Sequence, residues 1–414
     1  MLNKKTWLPL AGTIYLLVLI LYGFFAATLI RADILPPAYT ALLLIIVAVL
    51  LLFSGFLLFI GVNKKPHRFR STYRTIGVVL SVLTAFCCFF CALVFLRVGQ
   101  TVQAIAAPSG TSVSVTAGQT GGQTGTAKPG EEPDVPAETI AEKIANGHVM
   151  VFYLSGNDTR SYTLVDGRSD TNILMAVDPV NHQILLVNTP RDYYVENPAM
   201  DYERDKLTHC SIYGVGNAIA ALERLYGIDI DTYVQINFAG FENLVDDIGG
   251  VTLYNPVAFE IEGVWFPAGT ISLDGYEALK YVRARKTLAE GDFDRGRNQM
   301  RMVTAIIERV KSRGVGLLLN YADILSSLEG TFSTGLTAEE ISALVRMTIG
   351  DLDAWEVYSC SVSYSSTGMM PTASTGDERL YVVWPSQPHL DHVASMIEKM
   401  SSGGLLTDDD LNGP

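Results

Sequence analysis

Three long apolar runs, Trp7–Ile30, Ala38–Val62 and Thr75–Val98, constrain this chain more than any other feature of it. Each is long enough to cross about 30 Å of hydrocarbon as a helix. Inside a bilayer a helix satisfies its own backbone N–H and C=O groups, which an irregular segment does not. Residues 1–98 are therefore expected to form a three-helix transmembrane anchor. Lys4 and Lys5 precede the first run, but that run is too long for a secretory h-region and no small-residue cleavage pattern follows it. The first helix is expected to be retained. A mean hydropathy of +0.25, with 49% hydrophobic residues, fits a chain partly in a membrane.

Basic residues orient the bundle. Lys64, Lys65, Arg68, Arg70 and Arg74 fill the loop between the second and third runs, whereas the first loop carries only Arg31 against Asp33. The amino terminus and the basic loop are thus expected in the cytoplasm, and everything after Val98 outside the cell. Residues 1–98 hold 9 of the 30 Lys and Arg and 1 of the 43 Asp and Glu, which leaves 21 and 42 in the remainder, a net of −21. So acidic a surface repels a phosphate backbone, and no nucleic acid partner is expected.

Cys87, Cys88 and Cys91 lie in the third run, where small polarizable side chains are ordinary packing. Cys210 and Cys360, beyond it, permit either a disulfide or two buried thiols. Residues 99–138 contain SGTSVSVTAGQTGGQTGTAKPGEEPDVP, which has almost nothing to bury and reads as a flexible extracellular linker. Beyond it, HVMVFYLS, NILMAVD, QILLVNTP and TYVQINF have strand character, while 214–226, 274–281 and 295–313 have helical character. WEVYSCSV and RLYVVWP add strands, and 389–400 a closing helix. Residues 139–402 are expected to form one α/β domain, a central mixed sheet flanked by helices. Residues 403–414 are expected to be a polar, unstructured tail.

Three clusters carry chemistry. In SGNDTRSYTLVDGRSD, Asp158 and Asp170 flank a turn-like insert. Two carboxylates held together repel unless a cation sits between them, and a hard divalent ion, most naturally Mg²⁺ with water and phosphate oxygens, suits them. Removing either is then expected to relieve repulsion and leave the fold intact. The other reading is a pair of turn-capping aspartates. In NTPRDYY, Arg191 and Asp192 follow a strand, where α/β sheets bind ligands, or else they pair to close a surface turn. The third cluster, YVRARKTLAEGDFDRGRNQM followed by Arg301, gathers six cations in an acidic domain. Arg283 and Arg285 share a face if the segment is extended, and Arg295 and Gln299 share a helix face. Such a cluster is either a solvated helix face or an anion site. Guanidinium forks match phosphate oxygens, and several together can neutralise a pyrophosphate.

From about His148 to Arg313 the chain resembles the LytR-CpsA-Psr family of cell-envelope proteins. GNDTR, GRSDTNIL, NTPRDYYV, INFAGFENLVDDIGGV, LDGYEALKYVRAR and GDFDRGRNQ carry the resemblance, in that order. The family pattern has Ser-Ile before Pro190 where this chain has Asn188-Thr189, a departure that bears on local packing, and no motif after Arg313 is matched.

The resemblance implies a Mg²⁺-dependent transferase that attaches a glycopolymer, of capsular polysaccharide or wall teichoic acid type, to peptidoglycan from an undecaprenyl pyrophosphate carrier. It places metal ligands at Asp158 and Asp170, pyrophosphate-binding side chains at Arg168, Arg191, Arg283, Arg285, Arg295 and Gln299, and a catalytic carboxylate at Asp292. In that chemistry a peptidoglycan hydroxyl attacks the sugar carbon bearing the pyrophosphate, Asp292 accepts its proton, and arginines and metal stabilise the departing charge. Two other functions use the same residues: a pyrophosphatase acting on lipid-linked glycans, and a non-enzymatic envelope regulator. The short cytoplasmic segments leave a regulator little to signal with.

Overall fold

The computed structural model describes residues 4–63, 70–106, 138–159, 167–313, 324, 327–350 and 354–413. The chain divides into two compact units, the first built from the N-terminal helices together with Val345–Gly350 and the second from Ala104–Leu344 and Asp351–Pro414.

In the first unit, helices α1 (Lys4–Ala32), α2 (Pro37–Asn63) and α3 (Arg70–Ile105) contain three stretches apolar and long enough to span a membrane: Pro9–Ala32, Pro37–Gly61 and Thr72–Ile105. Glycine lets these helices approach closely. A Cβ at Gly55 would lie 2.8 Å from the Tyr15 ring, whose hydroxyl donates to the Leu51 carbonyl at 3.0 Å. Leu52, Phe59 and Phe86 face outward and are as apolar as the buried Val18 and Phe25, the pattern expected where the surrounding solvent is lipid. Helix α3 runs past Val98 to Ile105, so the start of the expected linker is helical. Most of that linker, and the basic residues Lys64, Lys65 and Arg68, lie outside the described residues.

The second unit is built on a six-stranded sheet of order β11-β6-β1-β2-β3-β12. Its strands are β1 (Met150–Asn157), β2 (Ser169–Asp178), β3 (Gln183–Asn188), β6 (Thr232–Asn237), β11 (Phe332–Thr334) and β12 (Glu356–Ser361). β1 is parallel to β6 and β3 to β12, while β1–β2, β2–β3 and β6–β11 are antiparallel, so the sheet is mixed as expected. These central strands are short apolar runs because both faces are covered. On one face Tyr153, Leu174, Leu185 and Val187 pack with helix α6 (Val215–Tyr226) and the C-terminal helix Gln387–Ser401. On the other, Ile173 and Leu186 meet Met300 of helix α9 (Asp292–Arg313).

A second core lies beneath α9, helix α7 (Phe238–Asp247), helix α8 (Gly275–Arg283) and two ribbons. The ribbons pair β7 (Val251–Asn255) with β10 (Gly269–Leu273), and β8 (Phe259–Ile261) with β9 (Val264–Phe266). Between α7 and β7, Gly249 and Gly250 take φ of +79° and +75°, a left-handed turn that favours glycine. Asp274 and Glu277 form a capping box that starts α8 one residue after the expected boundary. Helix α9 starts at Asp292 rather than Arg295, which puts Asp292 in its first turn.

RLYVVWP forms a strand as expected, outside the central sheet in a ribbon of β13 (Tyr364–Thr372) and β14 (Gly376–Pro385). One expectation is corrected. The polar tail is ordered against the domain: Leu406 is buried, its N–H and C=O bond the side chain of Gln183 at 2.8 and 3.1 Å, and Asp410 pairs with Lys399 at 2.8 Å. One buried leucine and a capped 3₁₀ turn supply the packing that its acidic composition concealed. Cys210 and Cys360 are both free thiols; burial pushes the Cys360 pKa up to about 12 and raises that of Cys210 as well.

Candidate functional site

β1, β3, β6 and β12 run in one direction, so their carboxyl ends share one edge of the sheet, and antiparallel β2 begins there. Asp158 follows β1, Arg191 follows β3, Phe238 follows β6, and Asp170 opens β2. This edge is where α/β sheets hold ligands. It borders a cavity of about 780 Å³ whose lining includes Asp158, Asp170, Arg191, Arg283, Arg285, Arg295 and Gln299.

The β1–β2 register explains Asp170. Gly156 pairs with Thr171 and Asn157 with Ser169, so Asp170 is the extra residue of a β-bulge, and a bulge re-aims a side chain. Its carboxylate forms a close ion pair with the Arg191 guanidinium, and Arg295 Nη1 lies 3.9 Å from its second oxygen. The cation beside this carboxylate is therefore an arginine, so removing Asp170 is now expected to cost an attraction rather than to relieve repulsion. Arg191 does not close a surface turn with Asp192 either: Asp192 bonds Lys206 Nζ at 2.9 Å and stands 3.7 Å from Arg191 Nε.

Arg283 ends α8, and Ala284 leaves the helix with ψ of 122° and a buried side chain. The chain then places Arg285 on the same cavity wall as Arg283, although Arg283 is helical and the pair does not share the face of an extended segment. The Arg283 guanidinium lies 4.6 Å from the Phe238 ring centroid, a cation–π contact that holds it. Arg295 and Gln299 are one turn apart on α9, and both are buried against the cavity. α9 can approach because Gly296 lacks a Cβ; one there would lie 2.3 Å from Asn188 Oδ1. Asn188 fills that contact and Thr189 Oγ1 hydrogen-bonds Tyr226 at 2.8 Å, which accounts for the departure before Pro190 as a local packing change.

Asp292 does not line the cavity but sits at its margin, its carboxylate 2.6 Å from Arg295 Nη2. The contact is close without hydrogen-bond alignment, since that oxygen has no hydrogen-bond partner among the described residues. Burial raises the Asp292 pKa above the ordinary carboxylate value, Arg295 works against the rise, and Asp192 adds to it. Burial also pulls Arg295 down, with Asp292 and Asp170 opposing. For Arg191 burial acts the same way, but Asp170, Asp192 and Asp292 outweigh it and raise the pKa. Carboxylates thus win over burial at Arg191, whereas at Arg295 burial outweighs them.

Arg168 is exposed and outside the cavity lining, although its carbonyl accepts the Asp158 N–H at 3.3 Å. Arg297 turns away to Glu290 and Asp294, both at 2.5 Å, and Arg301 to Asn298 at 2.8 Å. Wall residues not expected from the sequence include Phe238, Glu260 and Glu262. Phe238 lies within the recognised INFAGF segment. Glu260 and Glu262 come from the β8–β9 ribbon, where no spacing relates them to the arginines.

Among the described residues no three His, Cys, Asp or Glu side chains gather as a metal cage. Asp158 and Asp170 are two hard oxygen donors from neighbouring strands on one cavity, and Mg²⁺ is commonly held by one or two carboxylates, with phosphate oxygens and water as the other ligands. The donor set fits Mg²⁺ with an anionic ligand. Buried Arg295 Nε also has no hydrogen-bond partner among the described residues, as expected of a donor available to an anion.

The second unit is an α/β domain with an arginine-lined cavity, carried on a chain with three apolar helices. The LytR_cpsA_psr family model matches residues 114–376, and the chain belongs to that family. It is 35% identical over 191 residues to the polyisoprenyl-teichoic acid–peptidoglycan teichoic acid transferase TagU of Enterococcus faecalis, covering 46% of this chain and 61% of that one. Against TagU of Bacillus anthracis it is 31% identical over 203 residues, 49% of this chain and 65% of the relative. The matches thus span somewhat less than two thirds of these relatives. The crystal structure of the Lin1025 protein from Listeria innocua superposes with a TM-score of 0.50 at 29% identity, covering 61% of this chain and 98% of that one.

Proposed function

We propose that this protein is a membrane-tethered transferase that moves a glycopolymer from a polyprenyl pyrophosphate carrier to peptidoglycan. The activity in the relatives' names supports the reading. One observation carries it: Arg191, Arg283, Arg285 and Arg295 converge with Asp158 and Asp170 on a single cavity in an otherwise acidic domain. Four guanidinium groups suit a diphosphate in both charge and hydrogen-bond geometry.

In this mechanism Arg283 and Arg285 hold the pyrophosphate, and Arg191 and Arg295 are kept in place by Asp170 and Asp292. Mg²⁺, bound by Asp158 and Asp170, would supply positive charge to phosphate oxygens. An acceptor hydroxyl attacks, Asp292 accepts its proton, and the guanidinium groups stabilise the charge left on the carrier. Attack at the sugar carbon breaks the C–O bond and releases polyprenyl pyrophosphate. Attack at phosphorus breaks a P–O bond, releases polyprenyl phosphate and leaves a phosphodiester in the product. The arginines serve either course, and phosphate analysis of the product separates them.

The test is to incubate the purified chain with lipid-linked glycan and peptidoglycan, with and without Mg²⁺. A covalent glycan–peptidoglycan product, formed only with the metal, is expected. Free glycan alone would replace the transferase by a pyrophosphatase. The reading also puts the second unit outside the cell, as the basic loop of the sequence implies. Protease added to intact protoplasts should digest it, and full protection would overturn that placement.

A further inference from the structure

A second cleft, of about 550 Å³, lies beside the arginine cavity's supporting strands. Its walls come from β4 (Tyr194–Glu196), β5 (Arg204–Lys206), α6, the end of β14 and the C-terminal helix. The anion site makes no use of it. Besides aliphatic side chains, its lining has aromatic rings at Trp384 and Tyr194 and a polar rim of Glu196, Arg204, Arg224 and Gln387.

The aromatic floor is built rather than incidental. The Trp384 and Tyr194 rings meet edge to face at 5.4 Å, and Tyr194 Oη donates to the Pro371 carbonyl at 2.8 Å. Across the β13–β14 ribbon, Gly368 leaves room for the indole, since a Cβ there would meet it at 3.3 Å. Arg204 donates to the Tyr194 carbonyl at 3.1 Å. At the rim Glu196 forms an ion pair with Arg224, whose guanidinium also lies 4.9 Å from the Tyr202 ring.

Tyr202 is presented there at a cost. It and Asp201 are consecutive non-glycine residues with φ of +63° and +50°. The turn is held by Tyr202 N–H to the Asn197 carbonyl at 3.0 Å and Glu203 N–H to the Met200 carbonyl at 2.9 Å. Left-handed backbone at two adjacent side-chain-bearing residues persists only where its surroundings impose it, and such strain clusters at ligand sites.

Pyranose rings match this combination. Their C–H faces stack on aromatic rings, and their hydroxyl rims need paired donors and acceptors such as a carboxylate–guanidinium couple. The cleft is also tied to the arginine cavity through the backbone. β4 is reached three residues after Arg191, at most about 10 Å of extended chain. Val383, next to Trp384, donates its N–H to the Asp192 carbonyl at 2.9 Å. We propose that this cleft is a glycan subsite that seats N-acetylhexosamine units of the acceptor polysaccharide and delivers a neighbouring hydroxyl to the arginine cavity. The assignment to acceptor rests on the transferase reading; the assignment to glycan does not.

The test uses the full-length chain in detergent with an N-acetylglucosamine oligomer as probe, titrated calorimetrically. The wild type should bind it, Trp384→Ala should weaken binding about tenfold through lost stacking, and Arg283→Ala should leave it unchanged. Arg224→Ala, on a largely exposed side chain, should weaken binding several-fold and serves if Trp384→Ala does not fold. A wild type that ignores the oligomer, or variants that bind it as the wild type does, would overturn the glycan subsite. In the transfer assay Trp384→Ala should raise the acceptor KM with donor affinity unchanged, and an unaltered acceptor KM would overturn its acceptor role. Trp384-dependent oligomer binding by a protein that transfers nothing would uphold the cleft while removing the transferase reading.

Discussion

Asp158 and Asp170 line one cavity, yet replacing Asp170 by Asn should cost stability while replacing Asp158 should not. Asp170 faces Arg191 and Arg295, with side-chain exposures of 19%, 17% and 8% respectively. At 3.9 Å and an effective dielectric near 20, the Arg295–Asp170 attraction alone is about 4 kcal/mol before desolvation is charged against it. Breaking a buried pair by removing one partner costs about 3–5 kcal/mol. Here the loss is smaller, because Arg191 keeps Asp192 at 3.7 Å and Arg295 keeps Asp292 at 2.6 Å. About 1–3 kcal/mol is expected for Asp170→Asn. Asp158 is exposed and makes no ion pair among the described residues, so Asp158→Asn should stay within about 0.5 kcal/mol of wild type. Thermal unfolding of the detergent-solubilised chain, followed without Mg²⁺, measures the difference, with about 2–4 °C in Tm for each kcal/mol in a domain of this size. Equal Tm values for Asp170→Asn and wild type, or an equal fall for Asp158→Asn, would refute the claim that Asp170 holds the arginines in place. Both variants should lose Mg²⁺-dependent binding of a pyrophosphate ligand, and unchanged dependence in both would place the metal elsewhere.

Arg283→Ala and Arg285→Ala should each weaken binding of the lipid-linked donor by about 1.5–3 kcal/mol, as expected for a charged hydrogen bond, read by titration with a pyrophosphate analogue. Asp292→Asn should slow single-turnover transfer by roughly 10² to 10⁴ while donor binding holds. Because burial raises the Asp292 pKa, the proton-accepting form is lost as pH falls through a value above that of an ordinary aspartate. The acid limb of the transfer rate should therefore be shifted upward in wild type and vanish in Asp292→Asn, and a wild-type rate in the variant would remove Asp292 from the mechanism. Leu406→Ala should destabilise the second unit by about 2–5 kcal/mol, since this tail residue is buried, and an unchanged urea midpoint would show that the tail adds nothing.

The three apolar helices were legible in the sequence because a bilayer imposes length and composition locally, one segment at a time. The mixed sheet was legible too, from alternating short apolar runs and amphipathic stretches, and so was most of the arginine set, because six ordered motifs bring it together. Tertiary structure decided how those charges are used. A bulge opposite Gly156 re-aims Asp170 onto Arg191, and a long-range contact between α9 and β3 brings Arg295 to the same carboxylate. Neither follows from spacing, since the partners lie 21 and 125 residues apart. The same holds for RLYVVWP, whose apolar alternation suits any half-buried strand and whose place in the β13–β14 ribbon depends on its partner. It holds for the tail as well, where one leucine finds Gln183 across the fold. Local pattern specifies which face of an element is apolar; which partner covers that face, and which charge meets which, depends on chain closure over distances that periodicity does not encode.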